Sequence, residues 1–233
     1  MKLLCKETQD SEVFRLRYQV YVNEKKYMEE GSNNVKNGLV QDELDKTAHI
    51  FGVYCENKLV ASARYNCTLN GSQLEALEMF SEYKNWMKNK IGKEFRELSL
   101  IEISRIVIDE KYRNTYAVPI LFFEIFEHAV THYAIDGMVY KIRKDEELLK
   151  SLYLNFNCKI IEDSVKNIQP YGNETSTAFL FGYMIIKELN LDLNEQKIYK
   201  ILKRIGGSEY TNRIMELSKK IQQVKGDKKY ENL

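Results

Sequence analysis

Apolar and polar positions along this chain switch between a helical and an alternating period, and the switches mark its elements. Over Ser11–Lys25, Val13, Leu16 and Val20 recur at helical spacing behind a Ser/Glu-rich start, which predicts a helix. Residues 29–47 break the pattern with Gly31, Asn33, Asn34, Asn37 and Gly38, a polar loop long enough to suggest a function. His49–Cys55 and Lys58–Cys67 read as two strands joined through Glu56–Asn57 as a hairpin. Leu74–Lys90 reads as a helix, and the β-branched run Leu98–Asp109 as a central strand. Pro119–Tyr133 is an apolar helix that accepts Pro119 in its first turn. A strand (Met138–Ile142), a helix (Asp145–Leu154), a strand (Asn157–Glu162) and a strand near Thr177–Ile186 follow. This order predicts an α/β (α+β) fold, a mixed twisted sheet flanked by helices. The tail resumes helical spacing at Ile198, Ile201, Leu202 and Ile205, then at Ile214, Leu217, Ile221 and Val224 beyond Gly206–Gly207. The expected organisation is therefore a domain over residues 1–188 with a C-terminal helical extension over 189–233.

With 233 residues, 44% of them hydrophobic, the chain builds its core without staples. No run reaches the ~18–20 apolar residues of a membrane span; the longest, around Ala117–Ile125, is interrupted by Glu124. The start, MKLLCKETQDSE, turns polar too soon for a signal peptide, so a cytoplasmic location is expected, with peripheral membrane contact left open. Cys5, Cys55, Cys67 and Cys158 form no C-x-x-C pair and read as reduced, mostly buried thiols. A net charge of +1 gives no electrostatic case for nucleic acid. The charge is uneven, however: residues 197–233 hold ten basic and four acidic residues, +6, which leaves −5 for residues 1–196. A basic tail is either a solvated face or a surface for an acidic partner.

The residues able to carry chemistry are scattered. Arg17 and Tyr21 share one face of the first helix. Asp42 and Asp45 sit at spacing three in the loop, and Arg64 lies on the second hairpin strand. Glu102 and Arg105 lie at odd spacing on the central strand, so only a bulge or twist brings both into one site. Charges inside apolar strands are costly unless paired. Arg64, Glu102 and Arg105 therefore read either as a structural ion-pair network or as a polar site cut into the sheet. His128 and His132 stand one helical turn apart, the geometry of paired zinc ligands, but no third ligand is evident and no metal is expected. Serine-hydrolase, P-loop and dinucleotide motifs are all missing.

Together these residues resemble the N-acyl amino acid synthases and the acyl-homoserine lactone (autoinducer) synthases, diverged members of the GNAT acyltransferase superfamily. The likeness covers roughly residues 10–186. It is carried by Arg17 and Tyr21 in LRYQVY, by Tyr27 where autoinducer synthases usually have Trp, and by Asp42 and Asp45 as D-x-x-D. Arg64 on its strand and Glu102 with Arg105 in EISR complete it. YQVYVNEKKYM lacks the G-W ending of autoinducer synthases, and it and LDKTAH, with His49, look closer to the N-acyl amino acid group. The resemblance implies a GNAT-like fold and transfer of a fatty acyl group from a thioester to the amine of a small amino acid-like acceptor. Homoserine lactone synthesis from S-adenosylmethionine is the runner-up, followed by a CoA-dependent N-acetyltransferase and a non-catalytic binding module. Glu102, Arg105 and Arg64 would be catalytic, Glu102 as base through water; Arg17, Tyr21, Tyr27, Asp42 and Asp45 would serve the substrate.

The donor is read from chemistry. A CoA diphosphate is held by glycine-rich turns at a helix N-terminus, and Arg113–Val118 (RNTYAV) contains no glycine. Acyl carrier protein, which presents pantetheine through one phosphodiester, is therefore the expected partner and co-substrate, with acyl-CoA second and no bound cofactor. Lys111, Arg113, Lys141 and Arg143, with Lys144, are docking candidates for this acidic protein. Phe122, Phe123 and Phe126 are expected in the core rather than along the acyl chain.

Overall fold

The β-branched run that reads as a central strand occupies the middle of a seven-stranded sheet. A computed structural model describes residues 2–168, 177–189 and 197–226. The strands are β1 (Leu3–Glu7), β4 (His49–Cys55), β5 (Lys58–Cys67), β6 (Leu100–Ile108), β7 (Gly137–Arg143), β8 (Lys159–Ile168) and β9 (Thr177–Ile185). They lie in the order β1-β4-β5-β6-β7-β9-β8, and a two-residue hairpin, β2 (Val35–Lys36) with β3 (Leu39–Val40), stands apart. Every pairing is antiparallel except β6 with β7. That parallel pair spans only Leu100–Glu102 against Gly137–Val139, after which the strands diverge. The mixed, helix-flanked sheet is the architecture expected from the sequence.

Helices cover both faces. On one face α1 (Glu12–Tyr18) packs Val13 and Leu16 against Ile50, Tyr54, Leu59 and Val107. On the same side α2 (Glu75–Met79) and α3 (Glu82–Ile91) cover Leu100, Val139 and Phe181. The opposite face carries α4 (Ala117–Tyr133), whose Phe122, Phe123 and Phe126 are core, packed with Tyr65, Ile101 and Ile103. The short α5 (Glu147–Asn155) closes the far end of the splay with Tyr153. The extension is helical over Lys197–Gly226 (α6) and broken at Gly207, whose φ of 56° suits a residue without Cβ. It packs Leu202, Ile214, Leu217 and Ile221 onto the α4 face. Glu124, the charge that interrupts the apolar run, accepts from Arg213 at 2.7 and 2.8 Å; Glu127 accepts from the same guanidinium, and the two tie α6 to α4. Of the predicted extension, residues 190–196, residues 227–233 and the side chain of Ile198 lie outside the described residues. Among the described residues, no helix is long and apolar enough to cross a membrane.

Three elements differ from the sequence reading. β1 is a strand within a stretch read as a polar terminus, because an edge strand needs only one apolar face, here Leu3 and Cys5. The first helix keeps its α geometry only to Tyr18 and continues as a π turn over Gln19–Glu24, which buries both Val20 and Val22. The helix expected over Leu74–Lys90 divides at Phe80, which is fully buried between α2 and α3. The hairpin turn at Glu56–Asn57 is as expected, with both residues at positive φ.

Candidate active site

The odd spacing of Glu102 and Arg105 is resolved by a bulge. Ser62 pairs with Val107 but Arg64 pairs with Ser104, so β6 carries one extra residue there. Arg105 sits at φ 53°, a left-handed conformation that costs free energy for any residue with a Cβ. The extra residue rotates Arg105 onto the face that already carries Arg64 and Glu102. In the polar loop, Asp42 caps a short 3-10 turn (Glu43–Lys46) by accepting from Leu44 N, and Asp45 accepts in return from Asp42 N at 2.9 Å. This reciprocal cap aims both aspartates at the sheet.

The result is a chain of buried ion pairs. Arg17 donates to both oxygens of Asp45 at 2.8 and 2.9 Å, and Arg64 reaches Asp45 at 2.9 Å and also pairs with Asp42. Arg105 grips Asp42 at 2.6 and 3.0 Å. Arg17 and Arg64 are completely buried and lie behind the cavity lining, where their ion pairs hold the loop on the sheet. Burial would raise the Asp42 carboxyl, but Arg105 and Arg64 outweigh it and keep the group well below the usual carboxylate range. The network continues through Glu75, which lies 3.6 Å from Arg105, 3.9 Å from Arg64 and accepts from Lys141 at 2.9 Å. Burial pushes Glu75 upward, and Lys141, Arg105 and Arg64 more than reverse it, so it stays ionised.

Glu102 is different. Its Oε2 accepts from Ala76 N at 2.9 Å, while Oε1 has no hydrogen-bond partner among the described residues. Burial pushes this carboxyl up to about 7; Lys141 opposes the rise, Glu75 adds to it, and the Ala76 amide and Arg64 pull it down. It lies where β6 and β7 part, on the wall of a cavity of about 490 Å³. The cavity runs along the β6 edge from Ile103 to Ile108 and is bounded by the first helix, β7 and α5. Its floor is Tyr153, whose hydroxyl donates to Ile103 O at 3.4 Å and whose ring stacks on Tyr140 at 3.7 Å.

The other expected residues divide into two groups. Tyr21 donates to Ile106 O at 3.2 Å from the cavity wall, and Tyr27 lies 6.3 Å from it, ring to ring. Tyr27 donates to Glu146 beneath the Arg143 guanidinium, 4.3 Å above its ring, at the mouth. Arg113, paired with Glu24, also lines the mouth, whereas Lys111 lies on an exposed turn outside it. Lys141, expected on a docking surface, instead points inward to Glu75 and faces the cavity. Glu75 was not foreseen: a glutamate in the first turn of a helix is ordinary dipole complementation, so the sequence carries no signal for it.

Two measurements test whether Glu102 serves as a base. Turnover is expected to rise with pH through about 7 as Glu102 ionises, read from the pH profile of kcat/KM. Lys141→Gln removes a charge that holds Glu102 down, so the same limb should move to higher pH; an unmoved limb would separate Lys141 from Glu102.

The family model for the N-acyl amino acid synthase FeeM matches residues 12–153, which contain every charged group of the network. A search of curated protein sequences gives no match. Among solved structures, FeeM, an N-acyl amino acid synthase from uncultured soil microbes, is similar with 10% identity and a TM-score of 0.51, over 80% of this chain and 92% of that one. An N-acetyltransferase from Staphylococcus aureus Mu50 aligns at 14% identity and TM-score 0.51, over 79% of this chain and 99% of that one. A putative acetyltransferase from Salmonella typhimurium, yncA, determined with its cofactor acetyl-CoA, aligns at 8% identity and TM-score 0.50, over 80% and 95%. At such identities these structures speak for the fold, and the family match speaks for the chemistry. This chain belongs to the FeeM family of N-acyl amino acid synthases, and it is an acyltransferase on the GNAT fold.

Proposed function

We propose that this protein makes N-acyl amino acids, moving a fatty acyl group from an acyl carrier protein thioester to the amine of an amino acid. The observation that carries the reading is Glu102: a buried carboxyl with one unpartnered oxygen, poised near pH 7, at the head of an open cleft. An amine near neutral pH carries an extra proton that must leave before it can attack. Glu102 takes it, directly or through one water, and the freed amine adds to the thioester carbonyl. The cleft-facing amides of β6, which β7 does not pair beyond Glu102, meet the oxyanion; the C–S bond then breaks, and the pantetheine sulfur leaves as a thiol with the proton that the adduct's nitrogen gives up. Arg105 and Lys141 present positive charge to the cavity for the acceptor's carboxylate. Arg17, Arg64, Asp42 and Asp45 act as positioning residues that hold the loop closed over this face.

The carrier reading rests on the segment before α4. Its amides are engaged internally: Arg113 N donates to Glu110 O at 3.4 Å, Thr115 N to Tyr112 O at 3.1 Å and Ala117 N to Thr115 Oγ1 at 3.3 Å. Such a turn makes a poor cradle for a diphosphate, while Arg113 and Arg143 at the mouth suit the single phosphate of a carrier arm. Lys111 and Lys144 extend this basic rim for an acidic partner. The second reading, acyl-CoA as donor, follows from the acetyl-CoA held by the Salmonella relative. Purified protein offered fatty acyl carrier protein or fatty acyl-CoA with a mixture of amino acids decides between them. We expect amide product from the carrier thioester at a kcat/KM well above that from CoA. Faster turnover with acyl-CoA would overturn the donor assignment, and a lactone formed only with S-adenosylmethionine would overturn the acceptor.

A further inference from the structure

The chain has three histidines, and the fold gathers all of them on the α4 face of the sheet, opposite the ion-pair network. His49 opens β4, and His128 and His132 lie on α4, with ring centroids 5.1 Å (His49–His128) and 3.9 Å (His128–His132) apart. Glu7, at the end of edge strand β1, reaches into the same place. Its Oε1 lies 2.7 Å from His49 Nδ1, and its Oε2 lies 3.9 Å from His128 Nε2. The remaining nitrogen of each ring is held by a tyrosine: His49 Nε2 by the Tyr133 hydroxyl at 2.6 Å, and His128 Nδ1 by the Tyr65 hydroxyl at 2.5 Å. Two imidazoles thus turn one nitrogen each toward a shared carboxylate, and a phenol fixes each ring from behind. We propose that Glu7, His49 and His128 bind a divalent transition-metal ion, with zinc the expected ion.

One ligand atom from each of the three lies within 4.8 Å of the others, a span that closes onto a single ion with small side-chain movements. Two nitrogens and one oxygen suit a borderline cation such as Zn2+ better than Mg2+ or Ca2+. A tetrahedral ion would keep its fourth position for water, and Glu7 is exposed enough to admit both. With the ion on His49 Nδ1 and His128 Nε2, each neutral ring would carry its proton on the other nitrogen, His49 Nε2 donating to Tyr133 and His128 Nδ1 to Tyr65. His132 is not a ligand: its Nδ1 is turned to the His128 carbonyl at 2.9 Å. The site would join β1, β4 and the C-terminal half of α4, three elements far apart in the chain.

The test uses the full chain, stripped with a chelator and titrated with CoCl2, then with ZnCl2 as competitor. We expect the visible absorption of four-coordinate Co2+, its loss on adding Zn2+, and a higher Tm with Zn2+. Glu7→Gln, on a half-exposed edge position that leaves the fold intact, should weaken binding by about tenfold or more. His49→Ala, verified as folded by circular dichroism, should do the same, and His132→Gln should leave binding unchanged. A Co2+ spectrum that stays that of the aqua ion would overturn the proposal. So would equal affinity in Glu7→Gln, or binding lost with His132→Gln, which would assign the ion to the helical histidine pair alone.

Discussion

Glu102→Gln is expected to lower kcat/KM by about 10²- to 10⁴-fold, roughly 3–5 kcal/mol of transition-state stabilisation, with the fold unchanged. The replacement has the same shape, and its carbonyl oxygen can still accept from Ala76 N, where Glu102 accepts at 2.9 Å. What disappears is the group that takes the proton in the proposed step. Stability should move the other way. The folded carboxyl titrates near 7, above its unfolded value of about 4.3, so the folded protein retains a proton that the unfolded chain has lost across that window. Its stabilising contribution is therefore complete below about pH 4.3 and vanishes as pH rises through about 7. Thermal unfolding at pH 8 should find the variant at least as stable as the wild type, with a flatter stability curve between pH 5 and 7. A variant that both loses turnover and melts early would make Glu102 a structural residue.

Asp45→Ala should give the largest loss of stability. Among the described residues Asp45 is the one carboxylate paired with Arg17, and it also meets Arg64 at 2.9 Å and the Asp42 amide at 2.9 Å. Its removal leaves a completely buried guanidinium without compensation, a change that costs about 3–5 kcal/mol. For a chain of this length that is a fall in Tm on the order of 10 °C. Turnover should drop as well, because Asp42 loses its cap and with it the alignment of Arg105. The double variant Arg17→Met/Asp45→Leu separates these effects. Replacing both charges with apolar groups should restore much of the stability, while Arg64 and Arg105 remain misaligned and turnover stays low. Restored stability together with restored turnover would make this part of the network scaffolding alone.

The legibility of the sequence follows from how local each feature is. Helices and central strands announce themselves through periodicity, so α4, β4, β5 and β6 were readable to within a few residues. The edge strand β1 was not, since half its positions face outward and carry charge or exposed apolar groups such as Leu4. The π turn at Gln19–Glu24 and the break at Phe80 are tertiary responses to packing, where burying Val22 and Phe80 overrides helical spacing. The site was half legible. Arg17, Asp42, Asp45, Arg64, Glu102 and Arg105 could be singled out as charges in apolar or ordered contexts, and the spacing of the last two required a bulge that the backbone supplies at Arg105. Glu75 and the inward turn of Lys141 could not be read, because both depend on α2 meeting β7 across the sheet. The histidine cluster was hidden for the same reason: Glu7, His49 and His128 are distant in the chain and meet only once β1 and α4 pack on β4.

Mass spectrometry of organic extracts from a bacterial host expressing the chain or its Glu102→Gln variant tests the synthase activity most directly. A new long-chain N-acyl amino acid is expected with the wild type, absent with the variant although both proteins are present and folded. That result would identify acceptor and acyl length together. The same acylated product from both proteins would contradict the assignment of Glu102 as base. No acylated amine from the folded wild type, supplied with fatty acyl carrier protein and amino acids, would contradict the synthase reading itself.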